Sequence, residues 1–535
     1  MTKQHLSVIA ALLSLTASFS WAQEPVSKAA PQAKSTDLLN MDLEDLMNIQ
    51  VIMVSRKEES IFDSPAAVYV LTQEDIRRSG ATSVAEALRL VPGMQVSRIS
   101  SSNWGVSTRG FQGQFANKLL VLMDGRSVYS PIFSGVFWDV QDTLLEDIDR
   151  IEVVRGPGGA LWGANAVNGI INVITRSARD TQGLLVTGGA GTFDQGFGGF
   201  RFGGQAGEGV YYRVYGKYLS VGECEDSKGQ GLNDDWNMSR GGFRVDSELS
   251  KNTTLTVLGD IYTANLNAAI IAPSPNPPYT ESWGDGSDLS GGDILSRLSR
   301  RFADGSDARL QFYYDRTERN VGLMDATHDT YDMDFQHSLM LGDANDFMWG
   351  AGYRYIQDQL PTIFAGTFTP DSSHEELYSA FVQDRVQLTK DILYFTVGSK
   401  VEHNAYTGFE YQPSGRLIWT PDKQNAFWAA VSRAVRTPSR AENDLRFVMN
   451  VAPPPDPMGT QMTTYYVLDR SRDLSSEKIM AYELGYRMQP ARTFSVDLAL
   501  FYHQYNDIIT FAQEPPTVES DGSTAPQQTV PIQWE

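Results

Sequence analysis

From Gly183 onward, hydrophobic and polar positions alternate with a period of two, the pattern of strands with one wet and one dry face. Met480, Tyr482, Leu484, Tyr486 and Met488 fall on one face, opposite Ala481, Glu483, Gly485 and Arg487. Ala308, Leu310, Phe312 and Tyr314 oppose Arg309, Gln311, Tyr313 and Asp315 in the same way. In the stretch from Thr493 to His503, Phe494, Val496, Leu498, Leu500 and Tyr502 oppose Ser495, Asp497, Ala499, Phe501 and His503. The segments run to about ten residues or more, aromatics are frequent, and connections alternate between short and long, which separates an outer-membrane barrel from a soluble sandwich. Short turns are expected at 250–252, 303–305, 342–346, 389–391, 420–423 and 489–492, facing the periplasm. Long loops are expected near 221–238, 265–291, 358–374 and 436–475. The pattern gives about fifteen strands between Gly183 and Asn506, then a polar tail with little alternation.

The preceding part of the chain, 49–180, has a different texture and predicts a mixed α/β unit. Ala67 to Leu71 reads as a strand, and Thr72 caps a helix with Asp75 at the capping-box position and Gly80 at its end. Ser83 opens a second helix that Pro92-Gly93 stops. Strands are expected at Gln95 to Arg98, Val106 to Phe111 and Leu119 to Met123, the last turning at Asp124-Gly125-Arg126.

Ile148 to Arg176 (IDRIEVVRGPGGALWGANAVNGIINVITR) reads as strand, glycine-rich loop, strand. Gly156, Gly158, Gly159, Gly163 and Gly169 are a density that close backbone approach or positive φ demands. A phosphate site does not fit: Leu161 stands near where a dinucleotide fingerprint needs its third glycine, and no Gly-Lys-Ser/Thr follows. Instead, Val153 to Pro157, Trp162-Gly163, Ala166, Gly169 to Ile174 and Thr175 resemble, in order and spacing, the end of the plug domain of TonB-dependent outer-membrane receptors. EALRLVPGMQV, TRGF and LVLMDGRSVY follow in the same family order, and 432–443 and 475–487 resemble barrel segments. The resemblance implies an antiparallel membrane all-β barrel, 183–535, around an N-terminal mixed α/β plug, 49–180. Family barrels have roughly twenty-two strands and end on an aromatic. The barrel of this sequence is therefore expected to be partial, the sequence truncated, with the ladder wrapped around the plug without enclosing it.

Composition sharpens this picture. The chain has 535 residues, 20% of them charged, with a formal charge of −21 that speaks against nucleic acid as a partner. A mean hydropathy of −0.29 excludes a polytopic helical membrane protein but suits alternating barrel strands. Residues 1–22 read as a signal peptide, with Lys3, an apolar core from Leu6 to Phe19 and Ser20-Trp21-Ala22 before the cleavage point. Residues 23–48 read as a periplasmic tether. The expected location is the outer membrane of a Gram-negative cell, among outer-membrane lipid, with plug and tether facing the periplasm.

The extended run Ile49, Gln50, Val51, Ile52, Met53, Val54, Ser55 carries two readings. By resemblance it is a TonB box, pairing edge to edge with TonB and, through it, with the inner-membrane energising complex. Equally, it is the first strand of the plug. No catalytic constellation is present, and the six histidines lack metal-ligand spacing, so neither an enzyme, a metal centre nor a cofactor is expected. The resemblance implies gated uptake of a small-molecule metal chelate, foremost a ferric siderophore. Cobalamin is the alternative, with the acidic stretch from Glu223 to Asp235 a calcium candidate, and a passive pore or adhesin is a third. Arg109 and Arg155 match family plug arginines that face barrel carboxylates, with inward-facing Glu483 as partner, the pair Arg155–Glu483 foremost. Phe133, Phe137 and Trp138 are candidates for ligand contact, or for packing the plug on the wall.

Overall fold

The computed structural model describes residues 49–322, 324–361, 366–453, 463–491, 494–519 and 527–535. The expected signal peptide and tether lie outside these residues. The mixed α/β unit comprises β1 (Gln50–Val51), β2 (Glu59–Ser60), β3 (Ala67–Thr72), α1 (Gln73–Ser79), α2 (Val84–Ala87), β4 (Met94–Arg98), β5 (Trp104–Thr108), β6 (Leu119–Met123), β7 (Arg126–Ser127), β8 (Ile148–Arg155), α3 (Gly159–Trp162) and β9 (Gly169–Thr175). Its main sheet has the order β3-β8-β9-β6-β7, with only β6 and β9 parallel.

Both faces of that sheet are covered, which explains the uninterrupted apolar run of β6. Val121 and Met123 join Leu71, Ile76, Leu88, Ile151 and Ile171 on one side. Leu120 and Leu122 join Val51, Met53, Val68, Val154 and Ile170 on the other. Helix α1 begins with the expected reciprocal cap between Thr72 and Asp75 and ends at Gly80, φ 74°. Helix α2 is shorter than expected and tightens into a 3₁₀ turn at Leu88–Leu90 before Pro92.

Two expectations fail locally. The strand expected to reach Phe111 stops at Thr108, because Arg109, Gly110 and Phe111 take φ of 57°, 101° and 58°, which no ladder continues. The expected loop 265–291 is instead the end of a long hairpin, Thr253–Pro273 against Thr280–Arg301, paired to its tip. A strand of 21 residues spans about 70 Å, far more than a bilayer needs, so the alternation that marks the membrane span lapses while the pairing goes on.

From Gly183–Gly189 to Phe494–Asn506, fifteen strands form one antiparallel ladder in which every strand pairs with its sequence neighbour in the sheet. Among the described residues its first and last strands are not paired with each other. The expected short turns at 250–252, 303–305, 342–346, 389–391 and 420–423 appear as tight connections, and the one expected at 489–492 reaches outside the described residues. The alternation is obeyed: Leu310 and Phe312 face out and are exposed, whereas Gln311 and Tyr313 face in and are buried. The tail after Asn506 is more ordered than its composition suggested. Gln527–Trp534 pairs in parallel with Thr464–Asp469, which pairs with Leu445–Ala452, so tail and long loops share a second sheet. These strands are too short, and too distant in sequence, for periodicity to reveal their pairing.

Candidate functional site: the plug and the inner wall

The inner unit meets the wall through charge more than through oil. Arg109 stands where the chain leaves β5 in a left-handed turn, and this throws its side chain off the unit. Its Nη1 donates to Glu483 Oε1 at 2.7 Å and lies 2.9 Å from His503 Nε2. The guanidinium lies 4.2 Å above the Phe501 ring. Both side chains of the ion pair are buried, 6% and 2% exposed.

Arg155, the other expected partner of Glu483, does not reach it: Arg155 Nη1 donates to the Pro92 carbonyl at 2.9 Å. The pairing is therefore Arg109–Glu483, and Arg155 bonds within its own unit. The reason is geometric. Arg155 is the last residue of β8, whereas the turn at Arg109 aims its side chain at the wall.

The glycine-rich loop after β8 explains how the wall comes so close. At Gly156, φ 128°, a Cβ would lie 2.5 Å from Glu483 Oε1 and 3.0 Å from Arg109 Nη1. A Cβ at Gly163, φ 88°, would strike the Glu402 carboxylate, and Gly159 faces Gln412. The Ala164 amide donates to Glu402 Oε2 at 2.6 Å. The close backbone approach expected of these glycines is an approach to wall carboxylates and amides.

Further ties were not foreseen. Arg126 bridges Asp293 and Asp315 at 2.8 and 2.5 Å. Asp139 takes two bonds from Arg319, at 3.0 and 2.5 Å. Lys118 pairs with Glu477, which also holds Arg436. Burial pulls the Lys118 ammonium below its ordinary value, with Glu477 pulling the other way. Arg487 donates to the carbonyls of Ile61, Ser64 and Ala66, and Arg416 to those of Pro65 and Pro157. The signal was present in the alternation, which put Asp315 and Arg487 on inward faces, but partners so distant in sequence carry no local mark.

Ile49 to Ser55 is seated in the inner unit. β1 pairs with β2, the Ile52 and Met53 amides donate to Glu152 Oε2 at 2.9 and 3.1 Å, and Trp162 Nε1 donates to the Met53 carbonyl at 2.8 Å. Val51 and Met53 are fully buried. Within the run only Gln50–Val51 is strand, and Met53 to Ser55 forms a turn. Nearby, burial raises the Glu59 carboxyl to about 7, against the pull of Arg385 and Ser64.

Phe133, Phe137 and Trp138 are half-buried. Phe133 and Phe137 meet edge to face at 4.8 Å, Arg319 lies 3.8 Å over Phe137, and Trp138 packs on the core of the inner unit. This is the packing alternative. The exposed aromatics of the inner unit are Phe111 and Phe115, 41% and 58% exposed, which the sequence reading passed over. A short helix, Arg440–Asp444, docks its Arg440 and Ala441 amides on the Pro131 and Ile132 carbonyls, at 3.0 and 2.9 Å. Among the described residues no cluster of His, Cys, Asp or Glu suits a metal ion, the acidic stretch 223–235 included. No described helix is long and apolar enough to cross a membrane, which says nothing of strands.

A ladder with an apolar outer face, wrapped around a separate unit that fills its lumen through salt bridges, defines a plugged outer-membrane β-barrel. Residues 60–170 match the TonB-dependent receptor plug domain, and 179–532 match the TonB-dependent receptor-like β-barrel. The chain belongs to the TonB-dependent receptors, a family of outer-membrane transporters and receptors and not of enzymes.

Among curated proteins it is similar to the vitamin B12 transporter BtuB of Vibrio vulnificus, 34% identical over 144 residues, 26% of this chain and 23% of that protein. BtuB of Photobacterium profundum is 32% identical over 180 residues, 34% of this chain and 28% of that protein. The match thus spans about a quarter of the length of these relatives. Among solved structures, the siderophore receptor PirA of Acinetobacter baumannii superposes with a TM-score of 0.70 at 16% identity, covering 88% of this chain and 75% of that one. The ferric enterobactin receptor PfeA of Pseudomonas aeruginosa gives 0.71 at 19% identity, covering 88% and 77%.

Proposed function

We propose that this protein is a gated transporter that takes up a scarce, large metal chelate, foremost a ferric siderophore, with energy delivered by TonB. The observation that carries the reading is the nature of the plug's seat. Its two largest apolar clusters lie inside the plug, while Arg109, Lys118, Arg126, Asp139 and Glu59 tie it to the wall through ion pairs. Such contacts exchange for water at low net cost, so a pull can free the plug without unfolding it. A passive pore has no use for that arrangement. Phe111 and Phe115 are exposed aromatic faces of the kind that would suit a large aromatic or catecholate ligand. The proposed lock is Arg109–Glu483, with Arg155 holding the plug's own backbone.

Ile49 to Ser55 fits the TonB-facing role if ligand binding outside first lifts it from its seat beside Glu152, before TonB engages it. Deleting this run should abolish uptake and spare ligand binding at the cell surface. Loss of both would leave it a purely structural strand.

Cobalamin is the second reading, favoured by the matched BtuB relatives. Growth of a deletion strain on defined ferric siderophores, and separately on cobalamin as the sole source, separates the two. Rescue by the plasmid-borne gene on cobalamin alone would overturn the siderophore reading.

A further inference from the structure

Between the plug and the wall lies a cavity of about 200 Å³, bounded by Leu120, Asp124, Gly125 and Trp162 on the plug side. Most charges around it are spent on one another. Arg56 pairs with Asp334 at 3.0 Å, Arg354 with Asp332 at 2.9 Å, and Lys400 approaches Glu402 at 3.6 Å. The Asp124 carboxylate accepts from Thr175, from its amide at 2.9 Å and its hydroxyl at 2.7 Å. Arg297 and Arg309 are different. Arg297 donates Nε and Nη2 to Gln311 Oε1, at 3.0 and 2.7 Å, and Nη2 also to the Asp124 carbonyl. Arg309 donates Nη2 to Gln336 Oε1 at 2.8 Å. All these acceptors are neutral. Among the described residues, neither guanidinium has a carboxylate oxygen within 4.0 Å.

Two guanidinium groups therefore border one space with no carboxylate in direct contact, although Asp124, Glu375 and Glu376 line the same space, the last two bonded to tyrosine hydroxyls. Their placement converges them. Arg297 is paired with Gln311 and Arg309 with Ser299, so the arginines are diagonal neighbours on adjacent strands, both lining the cavity. Cα atoms so related are roughly 7–8 Å apart, a span that two flexible arginines can close around one small anion. Gln311, between them, holds the plug through its Nε2 bond to the Gly125 carbonyl at 3.1 Å. Arg297 Nη1 and Arg309 Nε and Nη1 carry no protein acceptor among the described residues.

We propose that Arg297 and Arg309 form an internal oxyanion site in this cavity, taking a phosphate- or carboxylate-type group. Planar guanidinium forks suit such groups bidentately. The cavity is too small for a whole chelate but ample for one oxyanion with water. The occupant is either a free inorganic oxyanion or one anionic arm of passing cargo; the second source rests on the uptake reading above, the site itself does not.

Crystals of the purified protein soaked in tungstate provide the direct test. An anomalous peak between the two guanidinium groups is expected, and a soak that leaves the cavity without one overturns the proposal. In detergent at fixed ionic strength, inorganic phosphate should raise the melting temperature saturably where chloride does not. Phosphate binding should weaken roughly tenfold or more in R297Q and again in R309Q, while exposed Arg300→Gln should bind as the wild type does. Equal phosphate binding in R297Q/R309Q and wild type would overturn the assignment. If those substitutions fail to fold, R297K/R309K keeps the charge without the fork, and undiminished phosphate binding there would remove the bidentate claim. In cells, selective loss of uptake of anionic over neutral chelates in R297Q/R309Q assigns the site to cargo, and equal uptake of both assigns it to a resident inorganic ion. Should no chelate be taken up at all, the uptake reading fails while the tungstate and phosphate results still stand.

Discussion

Removing Glu483 should unlock the plug, and the structure sets the scale of the effect. Glu483→Ala strands the Arg109 guanidinium in a site where both partners are almost fully buried. Breaking such a pair costs about 3–5 kcal/mol. His503 Nε2 at 2.9 Å and the Phe501 face remain, and a ring under a cation recovers up to about 2 kcal/mol, so Glu483→Ala belongs at the lower end. Arg109→Ala loses the pair and the ring contact together, and leaves Glu483 against the Gly156 backbone, so it belongs at the upper end. The double substitution should cost less than the sum of the singles by about 2–3 kcal/mol, the signature of partners in direct contact. Two readouts follow in the same variants: thermal unfolding of the purified barrel, and entry of large antibiotics that the wild type excludes. Each single variant should leak. Additivity to within about 0.5 kcal/mol, with intact exclusion, would refute the lock.

Gly156→Ala should leak as Glu483→Ala does and add little to it, since its Cβ would intrude on the same carboxylate from a backbone at φ 128°; exclusion assays on both variants and their combination check this. Glu477→Ala should destabilise by about 3 kcal/mol or more and Lys118→Met by less, because the first orphans the buried Lys118 and leaves Arg436 to Glu442 alone, while the second leaves Glu477 with Arg436; paired melting curves decide. For Glu59 the sign follows from a folded value of about 7 against an ordinary carboxylate near 4.5. The folded state takes up the proton, so this stability is full below about pH 4.5 and is lost as pH rises through 7, up to about 3 kcal/mol in all. Proteolysis of the 49–61 segment should quicken between pH 5 and 8, and Glu59→Gln should flatten that profile.

What was legible in the sequence follows what is local. Period-two alternation placed the strands and told their faces apart, so that Glu483, Arg487 and Asp315 could be set inward before any coordinates. The turns at 250–252 and 303–305, the Thr72–Asp75 cap and the both-sides-buried β6 are equally local, each fixed within a few residues. The glycine density after β8 signalled close approach, though not to what. The partners were not legible. Nothing near Arg109 or Arg155 in sequence says which of them meets Glu483, because the choice depends on three consecutive positive φ values that turn Arg109 outward. The reach of the 253–301 hairpin and the sheet made by the tail were hidden for a related reason. Outside the bilayer nothing forces one face of a strand to be apolar, so the alternation that betrays a spanning strand has no cause to persist.

The distribution of apolar burial then sets the order in which contacts give way. The plug's own clusters gather Leu71, Ile76, Leu88, Ile151 and Ile171 on one face of its sheet and Val68, Leu120, Val154 and Ile170 on the other, each side chain contributing about 1.5–3 kcal/mol by burial. Most clusters that cross to the wall are small, such as Ala67 with Ile418, Trp428 and Ala430, or Leu161 with Met348 and Phe381, and the larger one takes only Val140 and Phe137 from the plug. Apolar contacts separated in water lose their full value. Ion pairs and carbonyl bonds, such as those of Arg487 and Arg416, are replaced by hydration once water enters. A steady pull on the plug's N-terminal side thus meets its least resistance at the charged seam, beginning near Lys57–Asp346 and Arg56–Asp334. The plug should part from the wall as a folded body before its sheet opens, provided water can reach the seam ahead of the pull.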